Sequence, residues 1–282
     1  MKKYLLLKTL FLLGSLALQG QDLTQTENYV YSRTYLEPVV SSSSTAKQIQ
    51  QVNYLDGLGR SKQNIAIKAT PSGKDIVTPV EYDALGRQIK DLLPLPQQAT
   101  QNGGLFTSPD MTGAISVYGA ASNYYAEKKV ENSPFQRLQE QAAPGDPWKM
   151  GSGKTIQFNY ESNTHSEVRK FIVNTSWAIV SGVAVGTPVL SISAENTDYV
   201  SGGFYKAGTL YKNMITDEDG NKTTKFTNGK GQVVLVRKND GIQNVDTYYA
   251  YNEYGQQAFV IPSLAVKAIE TAGGNTIPAE VL

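Results

Sequence analysis

The sequence contains no cysteine and a single histidine, His165, in 282 residues. The absence of cysteine excludes disulfides, thiolate metal ligands and a lipid-modified N-terminal cysteine. A lone histidine cannot supply a histidine cluster for a metal, and His165 is most simply a surface turn residue. Stability must therefore come from packing and from the hydrogen bonds of regular secondary structure.

An excess of charge of one sign is also missing, with 26 basic residues against 25 acidic ones. If residues 1–20 are removed, three lysines are lost and the formal net charge changes from +1 to −2. Nucleic-acid binding requires a strongly basic face. The charge balance therefore predicts no nucleic-acid partner.

No apolar run is long enough to cross a bilayer, which takes roughly 20 residues. The chain begins with Lys2 and Lys3, continues through the short apolar segment 10–18, and becomes polar after Gly20. This order is typical of a secretory signal peptide over residues 1–20, cleaved near Gly20 or Gln21. We therefore expect a secreted or cell-surface protein with no stable membrane insertion after cleavage.

The residues that are abundant favour β structure, because 25 glycines and 17 tyrosines accompany Val, Ile and Thr spread evenly along the chain. Alternation of apolar and polar residues over 155–160 predicts a strand. Further strands are expected at 167–174, 176–184 and 188–194, with hairpins centred on 219–221 and 228–231.

Helix is expected in two places. In the first, the tyrosine-rich segment 117–130, the pattern allows a helix or a strand, and a helix at 123–129 is favoured. The other is predicted at 263–273, with Ser263 as the N-cap, Leu264, Ala268 and Ile269 on one face, and Gly273 as the stop. Residues 97–113 are expected to form a loop.

The most informative feature is an internal repeat. The segments Tyr54–Arg60 and Tyr82–Arg87 each combine an aromatic residue, an Asp, a Gly and an Arg, and their glycines lie 27 residues apart. Degenerate copies at 226–232 and 251–256 keep the aromatic residue and the Gly but replace Arg by Gln, with glycines 24 residues apart. Each copy is typical of a β-hairpin turn. The predicted repeat residues are Tyr54, Asp56, Gly59, Arg60, Tyr82, Asp83, Gly86, Arg87, Phe226, Gly231, Tyr251 and Gly255.

Arg60 and Arg87 could bind a ligand or could pair with the Asp or a carbonyl of their own turn. Their recurrence at equivalent places favours the structural role, because repeated units repeat the contacts that hold them together. Asp, Gly and Arg are expected to fix each turn, while the aromatic residues stack on their counterparts in neighbouring hairpins.

Motifs that carry chemistry are weak in this sequence. Residues 151–155 resemble the end of a phosphate-binding loop, but Trp148 occupies the place of the required Gly and a strand follows instead of a helix. Residues 217–221 have the carboxylates of a calcium loop but lack its later Gly and Glu, so a hairpin turn is favoured. No Gly-x-Ser-x-Gly motif accompanies His165. We therefore predict no catalytic residue, cofactor or metal site.

The Tyr-Asp-Gly-Arg segments resemble the tyrosine–aspartate (YD) repeats of RHS-repeat proteins. Residues 54–96, with the turn-rich segment 133–148, are also similar to the uncharacterised N-terminal domain of RHS proteins secreted by Bacteroidota. The resemblance implies β-hairpins coiled into a large sheet or shell, which in complete members encloses a C-terminal toxin. This chain has neither the self-cleavage core nor a toxin domain, so the toxin activity is not expected of it.

The predicted fold is mainly β, with antiparallel YD-like hairpins in a large curved sheet or partial shell and one short C-terminal helix. The predicted organisation after the signal peptide is a polar linker or edge strand at 21–47, an N-terminal domain with two YD-like hairpins at 48–165, a hairpin region with degenerate repeats at 166–262, and a helix with a truncated C-terminus at 263–282.

The predicted function is that of a non-enzymatic, structural N-terminal segment of a secreted RHS-type protein, either a polymorphic toxin or a cell-surface protein. Its expected partner is the rest of a longer RHS shell or its cargo. The alternative is an extracellular carbohydrate- or protein-binding β module that uses Trp148 or Trp177 as a platform.

Overall fold

The computed structural model describes residues 22–120, 123–239, 241–274 and 276–279. The predicted signal peptide lies outside the described residues. The structure is 42% strand and 8% helix, and its sheets are antiparallel. This confirms the prediction of a mainly β protein made of antiparallel hairpins with one short C-terminal helix.

The chain divides into two compact units. Of the described residues, unit 1 contains those up to 129 and those at 142–152, and unit 2 contains those at 130–141 and those from 153 onwards. The domain boundaries expected from the sequence stay a prediction.

Unit 1 is organised around a five-stranded sheet in the order β1-β2-β3-β4-β6, while β5 pairs with β7. The strands are β1 (Asn28–Tyr35), β2 (Gln48–Leu55), β3 (Ser61–Ala66), β4 (Ile76–Pro79), β5 (Lys90–Leu92), β6 (Leu95–Pro96) and β7 (Tyr125–Val130). Alternate residues of β2 and β3 point into the core, as expected for strands with one solvated face. The buried core contains Val52, Tyr54, Ile65, Ile67, Val77 and Phe106.

The predicted loop 97–113 covers this core in its first part. Gln63 bonds both backbone groups of Phe106, with its amide nitrogen donating to the carbonyl and its oxygen accepting from the N–H, each at 3.0 Å. The Tyr54 hydroxyl donates to the Gly103 carbonyl at 2.7 Å. Two side chains from the sheet thus supply the polar partners that a buried loop backbone requires.

The helix predicted at 123–129 is wrong, because this segment is strand β7. It pairs with β5, where Lys128 forms an ion pair with Asp91 at 2.6 Å and Lys90 lies over the ring of Tyr125. The helix of this region, α1, lies earlier, at Thr112–Tyr118. Its sequence is a weak helix former, and its position depends on close packing against β6.

Unit 2 contains a sheet whose strands follow the order β8-β9-β14-β15-β16-β17-β18, and two separate hairpins, β10-β11 and β12-β13. The strands are β8 (Leu138–Ala142), β9 (Ile156–Ser162), β10 (Phe171–Val180), β11 (Val183–Ile192), β12 (Val200–Ser201), β13 (Phe204–Tyr205), β14 (Tyr211–Thr216), β15 (Lys222–Thr227), β16 (Val233–Asn239), β17 (Asn244–Tyr251) and β18 (Gln257–Ile261). Helix α2 spans Ser263–Thr271. The largest core cluster of this unit includes Phe171, Val173, Leu190, Phe226, Leu235, Tyr248, Val266 and Ile269.

The strand predicted over 155–160 is confirmed as β9, and so are the hairpins centred on 219–221 and 228–231. The three strands predicted between 167 and 194 are wrong in number. Two strands, β10 and β11, form one long hairpin, and the chain turns at Ser181 and Gly182, both with positive φ. A single Ser-Gly pair is enough to make that turn, and the two ends of the predicted middle strand fall on opposite sides of it.

The C-terminal helix is confirmed, and so is the burial of Ile269, but its predicted cap and the predicted burial of Leu264 are wrong. Pro262, in an extended conformation, occupies the N-cap position, and no side chain caps the helix. Leu264 is 78% exposed, whereas Val266 and Ile269 are buried in the core. A helix of this length allows more than one apolar face, and packing against β17 selects the face with Val266.

The contact between α1 and β6 generates a stability prediction. A Cβ added to Gly113 would lie 1.8 Å from the Pro96 carbonyl oxygen, which no small shift of a side chain relieves. We expect Gly113→Ala to lower the free energy of unfolding by about 1–3 kcal/mol, measured by denaturant titration. The control is Gly57→Ala, where the added methyl group meets nothing within 4 Å. Equal midpoints for the two variants would contradict this packing.

Candidate functional site

The first repeat segment forms a five-residue turn, Asp56–Arg60, between β2 and β3. The Asp56 N–H donates to the Arg60 carbonyl at 2.8 Å, and the Gly59 N–H donates to the Asp56 carbonyl at 3.0 Å. Gly59 has φ +77°, which closes a three-residue hairpin loop. The backbone therefore requires Gly at the fourth position of the turn.

The Asp56 side chain holds this turn through both carboxylate oxygens. Oδ1 accepts from the Leu58 and Arg60 N–H groups at 2.9 Å each, and Oδ2 accepts from Arg60 Nε at 2.8 Å. Arg60 Nη2 lies 2.7 Å from the same Oδ2. The backbone N–H of Arg60, followed by its guanidinium, lowers the pKa of Asp56 below its usual range.

The second turn, Asp83–Arg87, repeats this geometry. Asp83 Oδ1 accepts from the Leu85 and Arg87 N–H groups at 2.9 and 2.8 Å, and Oδ2 accepts from Arg87 Nε at 2.8 Å. Gly86 has φ +76°. The backbone N–H of Arg87 lowers the pKa of Asp83. Each Arg therefore pairs with the Asp of its own turn.

The degenerate copies form the same turn with amides in place of charges. Asn228 Oδ1 accepts from the Lys230 and Gln232 N–H groups at 3.0 Å each, and Asn228 Nδ2 donates to Gln232 Oε1 at 2.8 Å. In the last copy, Asn252 Nδ2 donates to Gln256 Oε1 at 3.1 Å. Arg has become Gln where Asp has become Asn, so an amide pair replaces the ion pair.

Sequence reasoning missed a further copy of this turn, Asp217–Asn221. Asp217 Oδ1 accepts from the Asp219 and Asn221 N–H groups at 3.1 and 2.8 Å, and Oδ2 accepts from Asn221 Nδ2 at 3.0 Å. The side chain of Asn221 lowers the pKa of Asp217. The available signal was an Asp or Asn, with Gly three residues later and a polar residue after it. The segment is thus a turn of the repeat type.

The turns Asp56–Arg60 and Asp83–Arg87 lie at the same end of the unit 1 sheet. Between Arg60 and Asp83 the chain runs out along β3, turns at Thr70–Lys74 and returns along β4. One repeat therefore spans two strands and two turns. This explains the spacing of 27 residues, which is too long for a single hairpin.

Contacts of two kinds join the two turns of unit 1. The guanidinium carbon of Arg60 lies 4.2 Å from the centre of the Tyr82 ring, and the Tyr82 hydroxyl donates to the Ser61 carbonyl at 2.9 Å. Arg60 Nη1 would lie 2.8 Å from a Cβ on Gly86. Gly86 therefore leaves room for the Arg of the preceding turn, in addition to its role in its own backbone.

Equivalent residues join the two turns in unit 2. Gln232, in the position of Arg60, donates from Nε2 to the Gly255 carbonyl at 3.1 Å. The Tyr251 hydroxyl, in the position of Tyr82, donates to the Val233 carbonyl at 2.9 Å. We call this arrangement the paired-turn motif: residues 54–61 with 82–87 in unit 1, and residues 226–233 with 251–256 in unit 2.

The repeat aromatics divide into two roles. Tyr54 and Phe226 precede the first turn of each pair and are fully buried. Tyr82 and Tyr251 precede the second turn and contact the first turn from outside the core. The expected stacking of aromatics between hairpins is replaced by a cation–π contact at Tyr82 and a hydrogen bond from Tyr251.

Other chemistry is sparse in the part of the chain that the structure describes. No group of three or more metal-binding side chains comes together within those residues. No helix in the same residues is long and apolar enough to cross a membrane. Trp148 ends a short 3-10 helix, Asp146–Trp148, and the exposed His165 contacts Ser166.

The fold and this site define an antiparallel β protein built on paired five-residue turns. The family model described as a domain of unknown function, DUF6443, matches residues 21–162, just over half of the chain. The chain therefore belongs to this family.

Solved structures that match part of the chain include those of TcdB2-TccC3 and of TcdB2-TccC3-Cdc42. Both are 13% identical to this protein, with TM-scores of 0.45 and 0.44. Each comparison covers 82% of this chain but 10% of the other, so this chain spans about a tenth of their length. No curated protein matches the sequence.

The linked roles of Gly86 generate a prediction. Gly59→Ala and Gly86→Ala each place a side chain on a backbone in the left-handed region, which lowers the free energy of unfolding by about 1–2 kcal/mol. Only Gly86→Ala also displaces Arg60, since nothing lies within 4 Å of a Cβ at Gly59. We therefore expect Gly86→Ala to destabilise unit 1 more, in denaturant titrations. In an Arg60→Ala background the difference should disappear, and a difference that persists would contradict the contact.

The change from ion pair to amide pair generates a second prediction. Asp83→Asn leaves the charge of Arg87 without its carboxylate partner, and Arg87→Gln leaves the charge of Asp83 without its guanidinium partner. The double variant recreates the pair seen at Asn252 and Gln256. We expect the double variant to unfold at a higher denaturant concentration than either single variant. If the loss of stability in the double variant equals the sum of the losses in the single variants, the turn at Asp83–Arg87 is not equivalent to the turn at Asn252–Gln256.

The same variants carry a pH signature. The folded pKa of Asp83 is lowered, so its contribution to stability is present above the unfolded value of about 3.9 and is lost as pH falls through the folded value. The double variant should therefore lose less stability on acidification below about pH 4. Unfolding curves at several acidic pH values measure this, and parallel losses would count against the assignment.

Proposed function

We propose that this chain is the non-enzymatic, structural N-terminal segment of a longer secreted RHS-type protein, of the polymorphic-toxin or cell-surface kind. The observation that carries the proposal is the paired-turn motif, which occurs in each compact unit. The tyrosine hydroxyl bond between its turns is the same in both units, and the residue at the fifth position, Arg60 or Gln232, makes the other contact. The motif residues of unit 1 are those in which the sequence resembles YD repeats.

The contacts of the motif side chains support a structural role. Both carboxylate oxygens of Asp56 and of Asp83 are used within their own turns. Arg60 pairs with Asp56 and also lies over Tyr82. Side chains used in this way hold the backbone and have little capacity left for a ligand.

The geometry also supports continuation of the architecture by repetition. In unit 2 the paired turns join the hairpin β15-β16 to the hairpin β17-β18 at one end of a sheet, so further copies would extend that sheet without a new kind of contact. The partner proposed for this segment is therefore the rest of such a shell, or the cargo that the shell holds.

The test uses the source cells and an antibody raised against residues 22–279. Immunoblots of the medium, the cell surface and the cytoplasm should show a polypeptide larger than the 30.7 kDa of this chain, outside the cytoplasm. Gly86→Val should reduce its exported amount, whereas Gly57→Ala, at an open position, should not. A cytoplasmic product of 30.7 kDa would overturn the proposal.

A further inference from the structure

The β10-β11 hairpin, which we call the apolar arm, is a long hairpin without charge, with ten residues in each strand. Residues Phe171–Ile192 include no Asp, Glu, Lys or Arg. The two strands form a two-stranded sheet, paired from Phe171 opposite Ile192 to Val180 opposite Val183. Exposed strands normally carry charges that prevent association, so this surface needs an explanation.

The base and the tip of the apolar arm have different surroundings. At the base, Phe171, Val173 and Leu190 are buried in the core of unit 2. Towards the tip the burial ends, and Trp177 is 61% and Ile179 is 73% exposed. Large apolar side chains grouped on a protruding element mark an interaction surface.

The register shows that the tip is apolar on both faces. Cross-strand pairs share a face of a hairpin. Ile179 with Ala184 therefore lies on one face, and Val180 with Val183 lies on the other. An antiparallel sheet that packs on one protein surface commonly keeps its other face polar. At the start of the tip, Trp177 and Gly186 line a pocket with Asn252 and Gln257. Beyond Trp177 both faces are apolar, which favours an apolar medium around the end of the arm.

Trp177 stands where the apolar tip begins. Its ring lies against Gly186, where an added Cβ would come within 3.1 Å of two ring carbons. Directly behind it, the cross-strand pair of Ser176 and Thr187 is polar. Tryptophan at a boundary between polar and apolar residues is typical of a membrane–water interface.

We propose that residues 177–186, the tip of the apolar arm, insert into one leaflet of a lipid bilayer. Four residues per strand reach roughly 13 Å at about 3.3 Å per residue, which is less than half of a hydrocarbon core of about 30 Å. The outer N–H and C=O groups of a two-stranded sheet need water, which keeps the insertion shallow. The contact is peripheral and agrees with the expectation of no stable membrane insertion.

The absence of charge also specifies the lipid. With no basic side chain in the arm, attraction to anionic headgroups contributes nothing to the insertion. Binding should therefore occur with vesicles of phosphatidylcholine alone and should be insensitive to salt.

The experiment is a flotation assay of the purified chain, residues 22–282, with phosphatidylcholine vesicles at low and high salt. Ile179→Asp and, separately, Val183→Asp should reduce the bound fraction about tenfold or more, because a charge resists insertion. Leu264→Asp is the matched control, since Leu264 is 78% exposed but lies on helix α2. Circular dichroism and melting curves verify that the variants fold.

A second readout locates the tip. In a Trp148→Phe background Trp177 is the sole tryptophan. Its emission should shift to the blue on vesicle binding, and lipids brominated near the headgroup should quench it more than lipids brominated at the chain end. Absence of flotation, or an equal loss with Leu264→Asp, would overturn the proposal. Self-association abolished by Ile179→Asp, without vesicle binding, would instead assign the arm to a protein partner and overturn it as well.

Discussion

The structure depends on a short side chain that accepts hydrogen bonds from two backbone N–H groups of its own turn. Asp56, Asp83 and Asn228 each place one oxygen within 3.0 Å of the N–H groups two and four residues later. Only Asp and Asn combine a planar acceptor with a side chain short enough for this geometry. Once the turn is fixed, the register of the flanking strands follows. The partner at the fifth position can then vary from Arg to Gln without changing the backbone.

The paired-turn motif extends this local constraint across two strands. In unit 1 a cation–π contact between Arg60 and Tyr82 joins the turns, and in unit 2 a hydrogen bond from Gln232 to Gly255 does so. The second link, from a tyrosine hydroxyl to the residue after the fifth position, is the same in both units. The two turns are linked in both units although the residue that makes the first link differs. The placement of the two turns side by side is therefore common to both units, whereas the chemistry of that link is not.

The parts of the structure set by local sequence were predictable, and those set by distant contacts were not. The alternation of β9 and the turn at 228–231 can be read directly from neighbouring residues. Helix α1 was missed because Gly113 fits it against Pro96, a contact between distant residues. The hairpin at Asp217 was predicted, but it was not recognised as a copy of the repeat because the Arg of the motif is Asn221 there. The link between Arg60 and Tyr82 required knowing that alternate turns share one end of the sheet.

Native-state hydrogen exchange tests most directly whether the two turns of a pair behave as one unit. In an Arg60→Ala variant, the amides of Leu85 and Arg87 in the second turn should exchange faster, along with that of Leu58 in the first. The Lys74 amide, in the turn at the opposite end of the sheet, should keep its rate, since it bonds only within Thr70–Lys74. Faster exchange confined to residues 56–60 would contradict the account.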